Sequence, residues 1–370
     1  MWYAIIGALC VVSLCGILFI SFRAANFDFI QKLCRGRRWL GRLICFIFVC
    51  ALFAATYFTL NMWNALVITV HFALFWAIGD LIALLVRRYF TRRRRRRYIA
   101  GAASSALCVI YLAYGWIMAH HVFITGYAFE SEKLDGDLRI VQISDSHIGA
   151  TFHADGFAGY MREINGLSPD VVAVTGDFVD DDTSRSDMIG ACDALGKLNA
   201  KYGVYFVFGN HDKGYFSAES RGWTEEELRQ SLEDAGVVIL EDESVLIDNR
   251  FYVVGRIDRS ASGSGARMTA SQLTSKLDKS KFILMLDHQP ADFDAEADSG
   301  ADLVLCGHTH GGQFIPVNHV GEWMGENCLR YGHERRGNTD FIVSSGIANW
   351  TFKFKTGCYS EYVVIDLTEK

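Results

Sequence analysis

Only three prolines occur in 370 residues, which excludes a proline-rich linker between parts of the chain. Ten cysteines are present but no C-x-x-C pair, so the common thiolate metal and dithiol redox patterns are missing. Acids are almost absent from residues 1–120. Asp28 and Asp80 stand there against 14 lysines and arginines, a formal charge of +12. Residues 121–370 lack the opposite sign: 22 basic residues face 40 acids, giving −18. A region so acidic has no basic surplus for a polyphosphate backbone, which argues against long nucleic acid as a substrate. No internal repeat is visible, and the only low-complexity stretch is the arginine run Arg92 to Arg97.

Charge is also missing from long stretches of the first region. Ala4 to Phe22, Leu43 to Gly79 and Tyr98 to His120 contain no charged residue. About 20 apolar residues cross a bilayer as a helix, and the middle run is long enough for two spans, divided at Asn61-Met62-Trp63-Asn64. The expected fold here is an α-helical transmembrane bundle of four spans, about 4–22, 43–60, 64–86 and 98–119. Six basic residues from Arg23 to Arg42, and Arg87, Arg88 and the arginine run, fall in the first and third loops. Basic loops stay cytoplasmic, so the remainder of the chain is expected outside the cell membrane. Asp80, about two turns from Arg87, is expected to pair with a basic side chain at the cytoplasmic face. Cys328 and Cys358 lie in the less apolar surroundings of the second region, where a disulfide and two free thiols are equally open readings.

Residues 121–136 read as a connector, and residues 137–370 as a domain of alternating strands and helices. Apolar runs at Arg139–Ile143, Val171–Thr175, Val204–Phe208, Phe282–Leu286 and Leu303–Cys306 each end in polar, metal-binding residue types. The first leads into Asp145-Ser146-His147, where two ligands spaced by one residue share a side. The others lead into Gly176-Asp177-Phe178-Val179-Asp180, Gly209-Asn210-His211-Asp212, Asp287-His288 and Gly307-His308-Thr309-His310-Gly311-Gly312-Gln313. Each alone passes for turn chemistry or a core histidine. Five together, all at strand ends, point to a metal site outside the carboxyl edge of a sheet. Oxygen and imidazole ligands without thiolate suit Mn, Fe or Zn.

This set, D-x-H, GD-x-x-D, GNHD, a lone His and GHTH, resembles the calcineurin-like metallophosphoesterases. The extended GHTHGGQ and the preceding membrane segment look most like exported bacterial phosphoesterases of the YkuE type. The resemblance covers roughly residues 135–367. It implies a layered β-sandwich flanked by helices and two divalent metal ions. It further implies that Asp145, His147 and His310 hold one ion, that Asn210, His288 and His308 hold the other, and that Asp177 bridges them. His211 is then the proton donor, oriented by Asp180. Asp181 departs from the pattern, standing where the protein Ser/Thr phosphatase branch has an arginine, which argues against phosphoprotein substrates. Asp287 is a second departure and is expected to be solvated. His153, His319 and His333 receive no role.

The expected activity is hydrolysis of a phosphodiester or phosphomonoester by metal-activated hydroxide, with a lipid or envelope-linked headgroup as the favoured substrate class. The stretch Phe314–Trp323 is either a wall for an acyl chain or an ordinary packed loop. The rival readings are a non-catalytic membrane sensor that binds metal or ligand, and a transporter with an accessory domain.

Overall fold

The computed structural model describes residues 2–89, 98–260 and 267–370. It forms two compact units, Met1–Trp116 with Thr351–Lys353, and Ile117–Trp350 with Phe354–Lys370. The first unit is helical: α1 (Trp2–Ala24), α2 (Asp28–Leu33), α3 (Arg38–Thr59), α4 (Met62–Tyr89) and α5 (Ile99–His120), which runs on into the second unit. Three stretches, Arg38–Thr59, Met62–Val86 and Ile99–His120, are long and apolar enough to cross a membrane. The expected fourth, at 4–22, lies in α1; its described apolar part is Leu9–Ala24, and the side chains of residues 2–6 and 8 lie outside the described residues.

Asp80 has a basic partner as expected: it sits 2.5 Å from Arg23 Nε and accepts a hydrogen bond from Tyr98 Oη at 2.8 Å. The guanidinium of Arg23 lies over the Tyr98 ring as well. Arg92 to Arg97 and the side chain of Arg87 lie outside the described residues.

The second unit contains β1 (Val122–Ser131), β2 (Leu138–Ile143), α6 (Ala154–Gly166), β3 (Val171–Thr175), α7 (Arg185–Gly196), β4 (Val204–Val207), α8 (Ala218–Arg221), α9 (Glu225–Asp234) and β5 (Val238–Ile239). There follow β6 (Glu243–Ile247), β7 (Phe251–Gly255), α10 (Ala270–Thr274), β8 (Phe282–Leu286), α11 (Phe293–Ser299), β9 (Leu303–Cys306), α12 (Val320–Trp323), β10 (Gly332–Arg336), β11 (Thr339–Val343) and β12 (Ser360–Glu369). Two mixed six-stranded sheets result, ordered β1-β12-β2-β3-β4-β5 and β10-β11-β9-β8-β7-β6.

Strand periodicity assigns each residue to a layer. Ile140, Val171, Ala173 and Val207 of the first sheet meet Phe251, Val253, Leu284 and Leu305 of the second in one apolar interior. Their alternate neighbours Val141, Ile143, Val172 and Val174 face away, onto Phe157 and Met161 of α6, Met188 and Leu195 of α7 and Leu228 of α9. On the far side Ile283, Met285, Val304 and Phe341 pack on Leu273 of α10 and Phe293 of α11. The strands buried on both faces are therefore continuous apolar runs. Helix α9 starts in a capping box, Thr224 with Glu227, which fixes its entry beside the sheet.

The segment 121–136, expected as a connector, carries β1. This strand pairs in parallel with β12 over ten residues, from Val122 opposite Ser360 to Ser131 opposite Glu369. Phe123, Thr125, Tyr127 and Phe129 point inward while Ile124, Gly126, Ala128 and Glu130 point out. Only half of this edge strand is buried, so inward and outward residues alternate along it in place of a run buried on both faces.

Candidate metal centre

Five strands deliver the site. In the first sheet, β2 runs into Asp145 and His147, β3 into Asp177 and Asp180, and β4 into Asn210, His211 and Asp212. In the second, β8 runs into His288 and β9 into His308 and His310. Their carboxyl ends gather at one edge of the sandwich. Bringing ten side chains to that edge bends the backbone hard. Asp145 (φ +51°), His147 (+36°), Asp177 (+51°), His308 (+71°) and His310 (+46°) all adopt left-handed conformations, each costing on the order of 1–3 kcal/mol. Gly176 (φ +81°) makes a close approach: a Cβ there would lie 2.6 Å from Gly209 N and 2.7 Å from His288 Nδ1.

What holds these bends is hydrogen bonding between loops. The buried Asp212 carboxylate accepts from the backbone N–H of Asp177 (2.9 Å), Phe178 (2.7 Å), Val179 (3.0 Å) and Gly209 (2.7 Å). It thereby ties the loop after β3 to the loop after β4. Burial and the nearby Asp177 raise the Asp212 carboxyl to about 7, against the pull of those N–H groups. The Asp145 carboxylate accepts from His308 N at 2.9 Å and from the Ser144 hydroxyl. Asp177 Oδ1 accepts from His211 N at 2.8 Å. Beneath them the buried Lys355 ammonium donates to the carbonyls of Ser345 (2.7 Å) and Ala348 (3.0 Å), in the loop whose Ile347 N–H bonds Ser144 O.

The ligand-type atoms form two clusters, Asp145 with His147 and His310, and Asp177 with His288 and His308. Within each, the candidate ligand atoms lie within 4.8 Å of one another. The clusters abut. Asp177 Oδ2 is 3.2 Å from His288 Nε2 and 3.8 Å from His147 Nε2, and His310 Nε2 is 3.2 Å from His147 Nε2. Asn210 Oδ1 adds an oxygen 3.2 Å from His288 Nε2. The ring orientations are set from behind. His288 Nδ1 lies 2.8 Å from Thr175 O, which only accepts, so Nδ1 carries the proton and Nε2 offers its lone pair.

Asp180, expected beside His211, instead faces His147: its Oδ2 is 3.2 Å from His147 Nδ1. It sits one strand end across from the ring it orients, and a proton held at Nδ1 leaves His147 Nε2 free for the cluster. His211 stands next to His147, ring centroids 5.1 Å apart.

Charge follows geometry. Burial pushes the Asp177 carboxyl up, but His288, His211 and His147 outweigh it and hold it well below its usual range. Burial, then His288, lowers His308 to about 4, and burial, then His147, lowers His310 well below its ordinary value. Burial also lowers His211, with Asp177 pulling the other way. Neutral His308 and His310 are in the form that binds cations, whereas, against the lowering effect of burial, Asp177 raises His288 and Asp180 raises His147. The buried Nδ1 atoms of His308 and His310 have no hydrogen-bond partner. Orphaned nitrogens of this kind, in an oxygen and imidazole donor set, fit two divalent ions.

Other expectations change. Cys328 and Cys358 are free thiols, and Cys358 Sγ donates to His310 O at 3.0 Å. Asp287 is not solvated. It is fully buried and paired with Arg256 at 2.7 Å and with Arg267. His153, His319 and His333 each face a carboxylate, of Asp187, Glu322 and Asp340. Phe314 is buried, whereas Ile315, Val317, Val320 and Trp323 are exposed. Lys355 escapes a motif-based reading because it is a lone residue outside every motif, and only the fold shows the loop it holds.

A family model described as calcineurin-like phosphoesterase matches residues 138–312. An uncharacterized metallophosphoesterase of Aquifex aeolicus is 30% identical over 221 residues, covering 58% of this chain and 79% of its own. An uncharacterized metallophosphoesterase of Campylobacter jejuni is 27% identical over 248 residues, 65% of this chain and 62% of its own. A transmembrane protein with metallophosphoesterase domain from Danio rerio is 31% identical over 197 residues, 50% of this chain and 43% of its own. The chain thus spans less than two thirds of the latter two relatives.

Proposed function

This chain belongs to the metallophosphoesterase family, and on that premise we propose that it is a membrane-anchored, extracytoplasmic hydrolase of phosphoesters with a dinuclear metal site. The observation that carries the reading is the meeting of two ligand clusters at one carboxylate, Asp177. Asp145, His147 and His310 would hold one cation, Asn210, His288 and His308 the other, and Asp177 would touch both. When bound, two such cations supply Lewis acidity toward the phosphoryl oxygens and make hydroxide available from water near neutral pH.

The protein's own part is positioning and proton transfer. Thr175 O and Asp180 fix the tautomers and directions of His288 and His147. His211 donates a proton to the departing alkoxide. Its burial-lowered pKa makes its imidazolium a stronger acid than free histidine. Asp212 keeps the loops of β3 and β4 in register, so that Asp177 and His211 stay on one axis.

Orientation follows from the helices. Three spans entered from a basic segment, Arg23 to Arg42, deliver the catalytic unit to the side opposite that segment. This odd number leads outside whether or not α1 enters the membrane. The −18 charge of residues 121–370 disfavours nucleic acid, and α5 ends at His120, two residues before β1. A phosphodiester or phosphomonoester at the membrane surface, of lipid or envelope type, is the class these features favour.

The test is hydrolysis of an aryl phosphodiester and its monoester by the full chain, stripped with chelator and then given Mn²⁺, Zn²⁺ or Mg²⁺. Turnover that returns only with metal is the expected result. Folded, metal-loaded protein without turnover on either ester would overturn the reading.

A further inference from the structure

His211 stands between two aromatic rings. The Tyr215 ring lies 5.0 Å from it at 76°, and the Trp350 ring 4.9 Å from it at 50°. Tyr215 is 63% exposed, its neighbour Phe216 70%, and Trp350 37%. Large rings left in water are costly, and a patch beside a reactive centre marks what binds there.

The rim is built rather than loose. Gly214, at φ +72°, turns the chain back so that its N–H bonds His211 O at 2.8 Å. Asp181 then clamps the turn: its carboxylate accepts from Tyr215 N at 3.0 Å and Phe216 N at 2.9 Å. Asp181 is itself backed by Arg221, 3.7 Å away, whose side chain is 6% exposed. Tyr215 Oη accepts from Asn210 Nδ2 at 2.8 Å, which joins the rim to the metal-binding residues. An acid at position 181 cannot clamp a phosphate; here it binds backbone and presents aromatic surface.

We propose that Tyr215, Phe216 and Trp350 cradle the leaving group, and that the preferred substrate is a phosphoester whose departing alcohol carries an apolar tail, as in a lipid. This rests on the phosphoesterase reading above. His211 protonates the departing oxygen, so the rings on either side of it contact whatever that oxygen is attached to. A short polar alcohol gains nothing from them. An acyl-bearing alcohol exchanges water for ring faces at about 25 cal/mol per Å² of apolar surface removed. The acidic surroundings would repel a second anionic group, whereas an uncharged tail meets no such opposition. Asp181 is a positioning residue, acting through the backbone of Tyr215 and Phe216.

The experiment uses the full chain in bilayer discs, metal-loaded, with two matched pairs: dihexanoylglycerol 3-phosphate against glycerol 3-phosphate, and dihexanoyl phosphatidylglycerol against glycerophosphoglycerol. We expect kcat/KM to favour the acylated member by about tenfold or more in at least one pair. Phe216→Ala and Trp350→Ala should each shrink that ratio several-fold. Asp181→Ala should do the same and Asp181→Asn, which keeps an acceptor oxygen, should restore it. Calorimetry gives a readout without turnover: hexylphosphonate should bind about tenfold tighter than methylphosphonate, and Trp350→Ala should erase the difference. Turnover with a ratio near one, or a ratio untouched by these variants, overturns the proposal alone. Absence of metal-dependent turnover on all four esters overturns the phosphoesterase reading with it.

Discussion

In the helical unit, serine and threonine hydroxyls find acceptors within one turn. The hydroxyls of Ser21, Thr56, Thr59, Thr69 and Ser105 donate to the carbonyls of Ile17, Leu52, Ala55, Ala65 and Gly101, four residues back in each case. In the catalytic unit, polar groups are satisfied across long separations: Asp212 binds Asp177 N, Lys355 binds Ser345 O, and Gln142 binds Cys306 O. Leu14, Phe48, Phe58, Leu84 and Ile110 stand exposed on the helices, which suits lipid as their solvent. In the catalytic unit exposed apolar bulk is sparser, and much of it lies beside His211 or just after the last ligand histidine. A bilayer core offers no water to a stray donor, so each helix must balance its own hydrogen bonds. A water-facing sandwich is free to spread them over distant loops, and it becomes cooperative and vulnerable as a result.

The largest effect should come from attacking that vulnerability. Asp212→Ala leaves four backbone N–H groups without their buried acceptor, a loss on the order of 4 kcal/mol or more. We expect the catalytic unit to melt while far-UV helicity from α3, α4 and α5 persists. A variant with an unchanged melting profile would show that the loops do not depend on this carboxylate. His211→Ala should act on rate alone, lowering turnover about a hundredfold or more while elemental analysis finds the metal content unchanged. Metal lost along with rate would move His211 into the ligand set. Asp80→Asn is the mildest. It weakens the Arg23 pair in the helical unit, whose partly exposed members make it worth about 1 kcal/mol or less. Turnover should stay within about twofold of the parent, and a tenfold change would mean that the two units are energetically linked.

Much of the candidate site was legible because the candidate ligands follow strands buried on both faces, such as Val171–Thr175 and Leu303–Cys306, whose unbroken apolar runs end abruptly in Asp, His and Gly. Alternating β1 was not, because an edge strand that shows water one face lacks such a run, and its partner β12 lies far along the chain. Asp180 was placed on the wrong imidazole because motif spacing gives membership of a site, not the direction of a side chain. The buried state of Asp287 was invisible for a related reason. Its partners Arg256 and Arg267 come from a separate strand and loop, and only the fold brings them together.

The placing of β12 between β1 and β2 sets a clock on biosynthesis. Strand β1 follows directly on α5, yet the neighbour it needs is completed only when residue 369 has been made. That is roughly 230 residues later, on the order of 10–50 s at ribosomal rates of about 5–20 residues per second. The helices are therefore translated, and available for insertion, well before the first sheet has all its strands. Until then the nascent catalytic chain carries an open sheet edge. Truncation before Ser360 would leave that edge open for good.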